Sequence, residues 1–243
     1  MTTVAVFKWA MNPTDERVGA DGAVKWLADR PEVGDDDHAA IQVALDAAGD
    51  GDVTGVTMDS GDVAFGAARG IETTVAVQGV DILAQPTELA SALANAVKGV
   101  EGVEGVDLVA IGDCIWQPMV PSLLAGLLGW PCINAVDAAK REGGKLVVTR
   151  RFGAGTQDIA VEGPAVLAVA ARREEENKPG MRAVLAARKK PVERVGAQTE
   201  GAATFTVGGT HEPDAQPSKI FDGSDPQTAV DQLVAALKSE GVL

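Results

Sequence analysis

Three loops of the sequence carry residues that could contact a ligand, because each loop follows a short apolar segment with the character of a buried strand. The segments end at Phe7, Met58 and Ile111. The third loop contains Trp116, whose ring could stack on that of a ligand. The alternative is a set of ordinary strand-end loops, with Trp116 packed against a partner chain. If the three segments are neighbours in one parallel sheet, their loops form a candidate site at one edge.

A second group with binding chemistry is a basic stretch in an otherwise acidic chain, residues 177–191. It begins with the turn Pro179-Gly180, continues as an apolar, helix-like run over residues 181–187 and ends at Pro191. Its basic residues include Arg182, Arg188, Lys189 and Lys190. One interpretation is a short helix docked on its own domain, with its basic end compensating the helix dipole. The other is a docking segment for an acidic partner.

Patterns typical of catalysis or metal binding are missing from the sequence. Cys114 and Cys132 are too few for a disulfide framework or a four-thiolate cluster. They are more typical of small buried residues, although the sequence does not exclude a single disulfide between them. His38 and His211 lie far apart with no ligand spacing. There is no sign of a Ser-His-Asp arrangement or a Walker loop. The sequence therefore predicts no metal site and does not favour a hydrolase or a kinase.

The composition limits the partners of the chain. It has 243 residues, of which 46% are hydrophobic, and a net charge of −14. Such an acidic chain lacks the basic footprint that contacts nucleic acids or anionic membranes. No apolar run is long enough to span a bilayer, and the first residues do not resemble a signal peptide. We therefore expect a cytoplasmic protein with no nucleic-acid partner and no direct membrane insertion.

Strand and helix patterns alternate four times in the first half, which is typical of a parallel sheet with right-handed crossovers. The predicted strands are 3–7, 53–58, 73–78 and 106–111, and the predicted helices are 37–48, 63–70, 87–98 and 119–128. Asp35, Asp36 and Asp37 give the first helix an acidic start. The predicted fold class is α/β, with a doubly wound, mostly parallel sheet.

The second half of the chain predicts different elements. A hairpin of 146–151 and 156–161 precedes a buried strand at 164–170, and a terminal helix begins near Pro226 with Ser224 or Asp225 as its cap. Residues 12–34 are predicted as a polar loop, and residues 195–218 as an extended arm with one candidate strand at 203–207. We expect an α/β domain over residues 1–192 and a C-terminal arm and helix over residues 193–243.

Segments from end to end of the chain resemble the β subunit of electron transfer flavoproteins. Residues 4–8 (VAVFK) resemble the opening strand with its terminal lysine, and residues 121–131 (PSLLAGLLGWP) resemble a Pro-x-Leu-Ala-x-Leu-Leu-Gly-x-Pro segment. Residues 148–153 (VTRRFG) and 163–169 resemble the family's Arg-Arg hairpin and the strand after it. Residues 177–191 resemble the stretch that ends in Ala-Lys-Lys-Lys-Pro.

This resemblance implies a nucleotide-binding fold of the adenine nucleotide alpha hydrolase type, with a hairpin insertion. It implies the β subunit of a heterodimer, an electron carrier that is not a catalyst by itself. Such a protein passes electrons between a flavin dehydrogenase and an acceptor. The ETF alpha subunit would hold most of the FAD, and the C-terminal arm would clamp that subunit. The β subunit would bind AMP, or a second FAD if the protein is electron-bifurcating. The donor would be an acyl-CoA dehydrogenase-type flavoprotein.

The resemblance also assigns residues to these roles. The cofactor-binding residues would be Val6, Phe7, Lys8, Trp9, Met58, Asp59, Gly112, Cys114, Ile115, Trp116, Gln117, Met119 and Val120. The residues that dock the donor would be Met181, Arg182, Val184, Leu185, Lys189 and Lys190. Among these, Met181 falls at the position of the family's anchoring leucine.

Three segments differ from the family pattern, and one of them is the docking stretch, which is shorter than usual between Pro179 and Met181. Gly34, Asp35 and Asp36 stand where relatives have Asn-Pro-Phe, and residues 113–119 shorten a loop of the Asp-Gly-Asp-Thr-Gly-Gln type. Pro118 removes one backbone donor from that loop. Two alternatives stay open: an electron-bifurcating subunit that oxidises NADH with its own FAD, and a nucleotide-binding module of the universal-stress type.

Overall fold

A nine-stranded sheet forms the centre of the computed structural model, which describes residues 2–28, 30–100, 105–171, 178–199, 201–206, 208–211, 214 and 218–243. The described strands are β1 (Thr2–Val6), β2 (Trp9–Ala10), β3 (Glu16–Val18), β4 (Val24–Trp26), β5 (Glu32–Val33), β6 (Val53–Met58), β7 (Thr73–Gln78), β8 (Val106–Gly112), β9 (Cys132–Glu142), β10 (Lys145–Phe152), β11 (Gly155–Val161), β12 (Ala165–Val169) and β13 (Val192–Gly196). The described α-helices are α1 (Asp35–Ala48), α2 (Pro86–Gly99), α3 (Val120–Leu128), α4 (Met181–Ala187) and α5 (Pro226–Ser239).

The strand order in the large sheet is β11-β10-β9-β12-β8-β1-β6-β7-β13. The seven strands from β9 to β13 in this order are all parallel to one another. At the other end of the sheet, β10 pairs antiparallel with both β9 and β11. Two small sheets, β2–β5 and β3–β4, lie outside it. The predicted α/β class with a doubly wound, mostly parallel sheet is therefore confirmed, and so is the predicted hairpin.

The sheet is buried on both faces because apolar residues occupy consecutive positions of its central strands. In β1, Val4 and Val6 pack into the cluster that contains residues of α2 and α3, such as Leu93 and Leu124. Ala5 belongs to the cluster on the other face, which contains residues of α1. Successive side chains of a strand point to opposite faces, so the apolar run of β1 supplies both cores.

Two strands of the sheet were not predicted. β9 is rich in alanine and charged residues, which are depleted in strands, and its place between β10 and β12 decides its conformation. β13 is short and charged, as is typical of a strand at the edge of a sheet. Its residues span the predicted boundary between the α/β domain and the arm.

Three other predicted segments differ in the structure. The helix expected over residues 63–70 consists of turns and a 3-10 helix at Ala67–Arg69, which Gly70 ends with a φ of 115°. The polar loop over residues 12–34 contains β3, β4 and β5. Residues 203–206 of the candidate strand have no strand conformation, and Val207 lies outside the described residues.

The chain divides into two compact units by its internal contacts. The larger comprises Met1–Arg17 and Val24–Gly208. Within it, the chain after β13 runs along α2, where three side chains donate hydrogen bonds to its carbonyl oxygens: Gln85 to Phe205 (2.6 Å), Thr87 to Ala203 (2.5 Å) and Asn95 to Gln198 (2.7 Å). This division differs from the expected boundary at 192/193, because β13 and the stretch after it pack on the sheet and on α2.

The smaller unit comprises Val18–Ala23 and Gly209–Leu243 and contains α5. The hydroxyl of Thr210 donates to the carbonyl oxygen of Gly22, and Lys219 pairs with Glu240 at 2.5 Å. In neither unit does a described helix have the length and apolar character needed to cross a bilayer.

Candidate functional site

The carboxyl ends of β1 and β8 mark the point at which the strand order reverses. From β1 the chain continues to β6 and β7 on one side, and it later adds β8 and β12 on the other. Doubly wound sheets bind their ligands in the crevice at such a point. The structure brings two predicted loops together here, residues 7–9 and 113–119, and the first turn of α1 connects them.

Lys8 is buried at the end of β1 and is paired with the first turn of α1. Its side chain is 4% exposed, and its Nζ lies 3.9 Å from Oδ2 of Asp37, which is 1% exposed. The backbone N–H of Lys8 donates to Asp37 Oδ1 (2.9 Å), and that of Gly34 donates to Asp37 Oδ2 (3.2 Å). Asp37 therefore fixes the start of α1, binds the end of β1 and balances a buried positive charge.

Asp36 holds the loop after β8 in a similar way. It is buried, and its Oδ2 accepts the backbone N–H of Cys114 at 2.7 Å. Cys114 has a φ of 56°, a left-handed conformation that is uncommon for residues other than glycine. A Cβ at Gly112 would lie 2.5 Å from Asp36 Oδ2. Glycine at position 112 therefore permits the close approach of α1 to β8.

The groups in this crevice shift one another's protonation. Burial lowers the pKa of Lys8, but the carboxyl groups of Asp37 and Asp36 counteract burial, so that the pKa lies above its ordinary value and the ammonium stays charged. Burial raises the pKa of Asp37 to about 7, although Lys8 opposes the shift. Burial also raises the pKa of the Cys114 thiol, whose Sγ donates to the Gly112 carbonyl oxygen (2.9 Å). A buried thiol that stays protonated is a poor redox centre.

Asp113 adds a further carboxyl group beside Asp36. Burial raises the pKa of Asp113 to about 6, helped by the charge of Asp36 and a hydrogen bond to it, whereas Arg151 and Lys8 oppose the shift. These carboxyl groups do not form a metal site, since no group of three or more His, Cys, Asp or Glu in the described ranges could hold an ion.

The raised pKa of Asp113 predicts a pH-dependent difference between the wild type and Asp113→Asn. The folded pKa lies above the unfolded one, so the contribution of Asp113 to stability is fully present below about pH 4 and is lost as the pH rises through about 6. Asparagine mimics the protonated form at every pH. In denaturant unfolding, the variant should therefore be more stable than the wild type at neutral pH. The two proteins should have equal stability below about pH 4, the unfolded pKa of aspartate. The same change at the exposed Asp52 is the control, and a difference that does not vary with pH would contradict the assignment.

An open cleft of about 250 Å³ lies beside these carboxyl groups. The predicted site residues Ile115 and Trp116 contribute to its lining. The other lining residues are Asn12, Glu32, Val33, Gly34, Asp35, Asp36 and Ala171. Because three of them are acidic, the cleft presents negative charge to a ligand that enters it.

Several predicted cofactor-binding residues have structural positions instead. Five of them have side chains that are at most 4% exposed and belong to the two core clusters: Val6, Phe7, Met58, Cys114 and Val120. Their buried side chains pack the sheet against its helices. A ligand could reach them only through the backbone.

Trp9, Asp59 and Gln117 are held by contacts of their own. Trp9 packs edge-on against Phe65 with ring centroids 5.8 Å apart, and it covers Gly61, where a Cβ would lie 2.1 Å from the indole. The Asp59 carboxylate accepts from Gln78 Nε2 (2.9 Å) and lies 3.5 Å from Arg194 Nε, towards β7 and β13. The N–H of Gln117 donates to the Cys114 carbonyl oxygen (2.6 Å) and closes the loop. Met119 is 51% exposed.

The predicted docking segment forms α4, a helix with an exposed apolar side. Met181 is 75% exposed, and Leu185 lies one turn further on and is 56% exposed. The opposite side is anchored by Ala187, which is buried against Ala64 and Ala67. The helix is therefore fixed on the α/β domain and presents two large apolar side chains to solvent.

The basic residues of this segment differ in their environment. Arg182 and Lys189 are exposed, and Val184 is half-buried. Lys190 Nζ donates to Glu72 Oε1 (2.7 Å) and to the carbonyl oxygen of Ile71 (3.2 Å). Lys190 thus holds the end of α4 beside the start of β7, which is a structural use of its charge.

The sequence patterns did not reveal the roles of Asp36 and Asp37, which were assigned to the acidic start of a helix. The signal that could have revealed them was Lys8. A lysine that directly follows an apolar strand needs a carboxylate partner if it is buried. The first turn of the next helix supplies three consecutive aspartates, residues 35–37.

Comparison with known proteins identifies the family. The model of the electron transfer flavoprotein domain matches residues 32–200. The chain belongs to the electron transfer flavoprotein family. One relative is the "Electron transfer flavoprotein subunit beta" of Syntrophomonas wolfei, 32% identical over 185 residues, which are 75% of this chain and 66% of that protein. Another, of the same name, is from Bradyrhizobium diazoefficiens and is 28% identical over 93% of each chain. Both names support a β-type member of the family.

In this electron transfer flavoprotein chain, the backbone donors that converge at the start of α1 do not fit the phosphate of AMP or of a second FAD. The N–H groups of Lys8, Gly34 and Cys114 converge at the start of α1, but each already donates to Asp36 or Asp37. A phosphate there would meet two carboxylates instead of free donors. The implied nucleotide therefore has no place for its phosphate at these groups.

Proposed function

We propose that this chain is the β subunit of a heterodimeric electron transfer flavoprotein in the cytoplasm. In this role it is a carrier subunit and not a catalyst by itself. Electrons pass from a flavin dehydrogenase to an FAD that the α subunit mainly holds, and then to an acceptor. Family membership and the β-subunit names of the two relatives support this role.

The exposed apolar side of α5 is the main observation that supports a heterodimer. None of the 14 residues of this helix is buried. Its apolar residues follow helical spacing at Val230, Leu233, Val234 and Leu237, and the first two are 53% and 45% exposed. An amphipathic helix normally buries such a stripe against another element. We assign this side of α5 to the contact with the α subunit.

Co-expression with an α-type subunit tests the proposal. The wild type should yield a yellow 1:1 complex with one FAD. Leu233→Asp places a charge in the apolar stripe, and the yield of complex on size exclusion should fall by roughly tenfold or more, because an unpaired buried charge is costly. Gln232→Asp adds the same charge at the neighbouring exposed position and should leave the complex intact.

The flavin content of the same complex distinguishes the other functions. Two FAD per heterodimer would indicate an electron-bifurcating protein. A stable colourless homodimer that binds ATP would indicate a nucleotide-binding module of the universal-stress type and would contradict the carrier role.

We further propose that α4 docks the electron donor, a flavoprotein of the acyl-CoA dehydrogenase type. Met181 and Leu185 offer an exposed apolar contact on a helix whose other side is fixed by Ala187. Methionine is flexible and adapts to an apolar pocket of a partner. The exposed Arg182 and Lys189 would attract an acidic rim around that pocket.

A further inference from the structure

We propose that Asp36 and Asp37 take the place of a bound phosphate in this chain, so that the crevice between β1 and β8 is closed by the protein's own carboxylates. The chain then needs no nucleotide in this crevice to fold. This inference goes beyond the proposed carrier function, because it concerns a ligand that the chain does without.

The donors in the crevice are of the kind that binds anions. Backbone N–H groups at a helix start and in a neighbouring loop commonly bind phosphate oxygens. Here Asp36 Oδ2 accepts from Cys114 (2.7 Å), Asp37 Oδ1 accepts from Lys8 (2.9 Å) and Asp37 Oδ2 accepts from Gly34 (3.2 Å). Three carboxylate oxygens therefore use donors that would otherwise be open to an anion.

The buried cation is used in the same way. Lys8 Nζ lies 3.9 Å from Asp37 Oδ2, and both side chains are almost completely buried. A phosphate would need either to displace Asp37 from this pair or to lie beside it. If the phosphate displaced Asp37, the buried Asp37 carboxylate would lose its cation. If the phosphate lay beside Asp37, two anions would be close together in a medium of low polarity.

The two carboxylates also connect elements that are distant in sequence. Asp36 and Cys114 are 78 residues apart, and Asp37 and Lys8 are 29 residues apart. In this way the start of α1 is joined to the ends of β8 and β1. Removing Asp36 should uncover the Cys114 N–H while Lys8 and Asp37 stay paired, which makes Asp36 the residue to test.

Thermal unfolding of the full chain tests the proposal, with inorganic phosphate or AMP at millimolar concentration and chloride of equal ionic strength as the reference. The wild type should contain no nucleotide on HPLC after acid release, and neither anion should raise its midpoint. Asp36→Ala should melt about 4–8 °C lower, because a buried donor loses its acceptor. Phosphate should restore part of that loss.

Two matched variants distinguish the effect of uncovering the Cys114 N–H from the effect of removing a negative charge. Asp35→Ala removes the same charge from the first turn of α1, but Asp35 is exposed and its removal leaves the Cys114 N–H bonded to Asp36. Asp36→Asn removes the charge and retains an oxygen for that N–H. Neither variant should respond to phosphate as Asp36→Ala does. An equal response of Asp35→Ala would mean that lost repulsion alone explains the effect, and it would overturn the proposal.

The wild type decides the question even if Asp36→Ala does not fold. One nucleotide per chain, or a midpoint that AMP raises, would overturn the proposal, whereas nucleotide-free wild type that AMP does not stabilise supports it. These measurements need only this chain. A failure to pair with an α subunit would count against the proposed function and would leave this result unaffected.

Discussion

Replacement of Lys8 by methionine is expected to lower the free energy of unfolding by about 3–5 kcal/mol at alkaline pH, above the wild-type Asp37 pKa of about 7. Methionine fills a similar volume, so the loss comes mainly from the charge. Asp37 is 1% exposed and would remain as a buried carboxylate without its cation. Denaturant unfolding with the linear extrapolation measures the effect.

The pH dependence of this variant gives a second check. Without Lys8, the pKa of Asp37 should rise above its value of about 7 in the wild type, because burial raises it and Lys8 is the group that opposes the shift. Its contribution to stability is present at low pH and is lost as the pH rises through the folded pKa. The deficit of Lys8→Met should therefore shrink as the pH is lowered towards the unfolded pKa of aspartate.

An exposed ion pair supplies the matched control. Lys140 lies 2.7 Å from Glu142, closer than Lys8 is to Asp37, but both side chains are more than half exposed. Exposed pairs contribute little to stability, so Lys140→Met should have little effect. The double variant Lys8→Met/Asp37→Asn removes both buried charges and should recover part of the loss. Equal effects at Lys8 and Lys140 would contradict the role given to burial.

Truncation of Met181 to alanine is expected to reduce kcat/KM for the electron donor by about 10- to 30-fold, a loss of about 1.4–2 kcal/mol, with FAD content unchanged. Met181 is the most exposed large apolar residue of α4 and extends from a helix that Ala187 fixes to the domain. Anchors of this kind dominate the energy of an interface, whereas the charged residues around them mainly affect the rate of encounter. Reduction of the bound flavin by the donor, followed by absorbance, is the measurement.

A truncation elsewhere on the surface controls for general effects. Leu127 on α3 is 46% exposed and lies outside the predicted docking residues, so Leu127→Ala should leave kcat/KM near the wild-type value. Leu185→Ala, on the same side of α4 as Met181, should lower it. Added salt should reduce the contribution of Lys189 to kcat/KM and leave the contribution of Met181 unchanged. If Met181→Ala accepted electrons from the donor as fast as the wild type, the docking role of α4 would be contradicted, and α4 would be a helix that packs only on its own domain.

Lys190 shows why charge in the sequence was a weaker guide than apolar exposure. In the sequence it is one of several clustered basic residues and was assigned to the docking surface. In the structure it bonds Glu72 and the Ile71 carbonyl oxygen, more than 100 residues away in sequence. A side chain that makes two such bonds is less available to steer a partner. The docking prediction therefore rests on Met181 and Leu185 more than on the basic run.

The sequence by itself determined the fold class and the family. Apolar segments such as those of β1, β6 and β8 are long enough to be fully buried strands, and the helical patterns between them require parallel crossovers. These signals are local, so they can be recognised without the partner elements. The same holds for the helix-like run of α4, whose bounds of Met181–Ala187 agree with the predicted segment.

Only the tertiary structure decided what fills the crevice and where the charges are used. Lys8 pairs with Asp37, Asp36 binds the loop of Cys114, and Asp59 is drawn away towards β13 by Arg194. Each of these contacts joins segments that are distant in sequence, and each depends on how closely two elements approach. A carboxylate at a helix start has the same sequence whether it faces water, a ligand or a buried lysine, and only burial and distance separate the three.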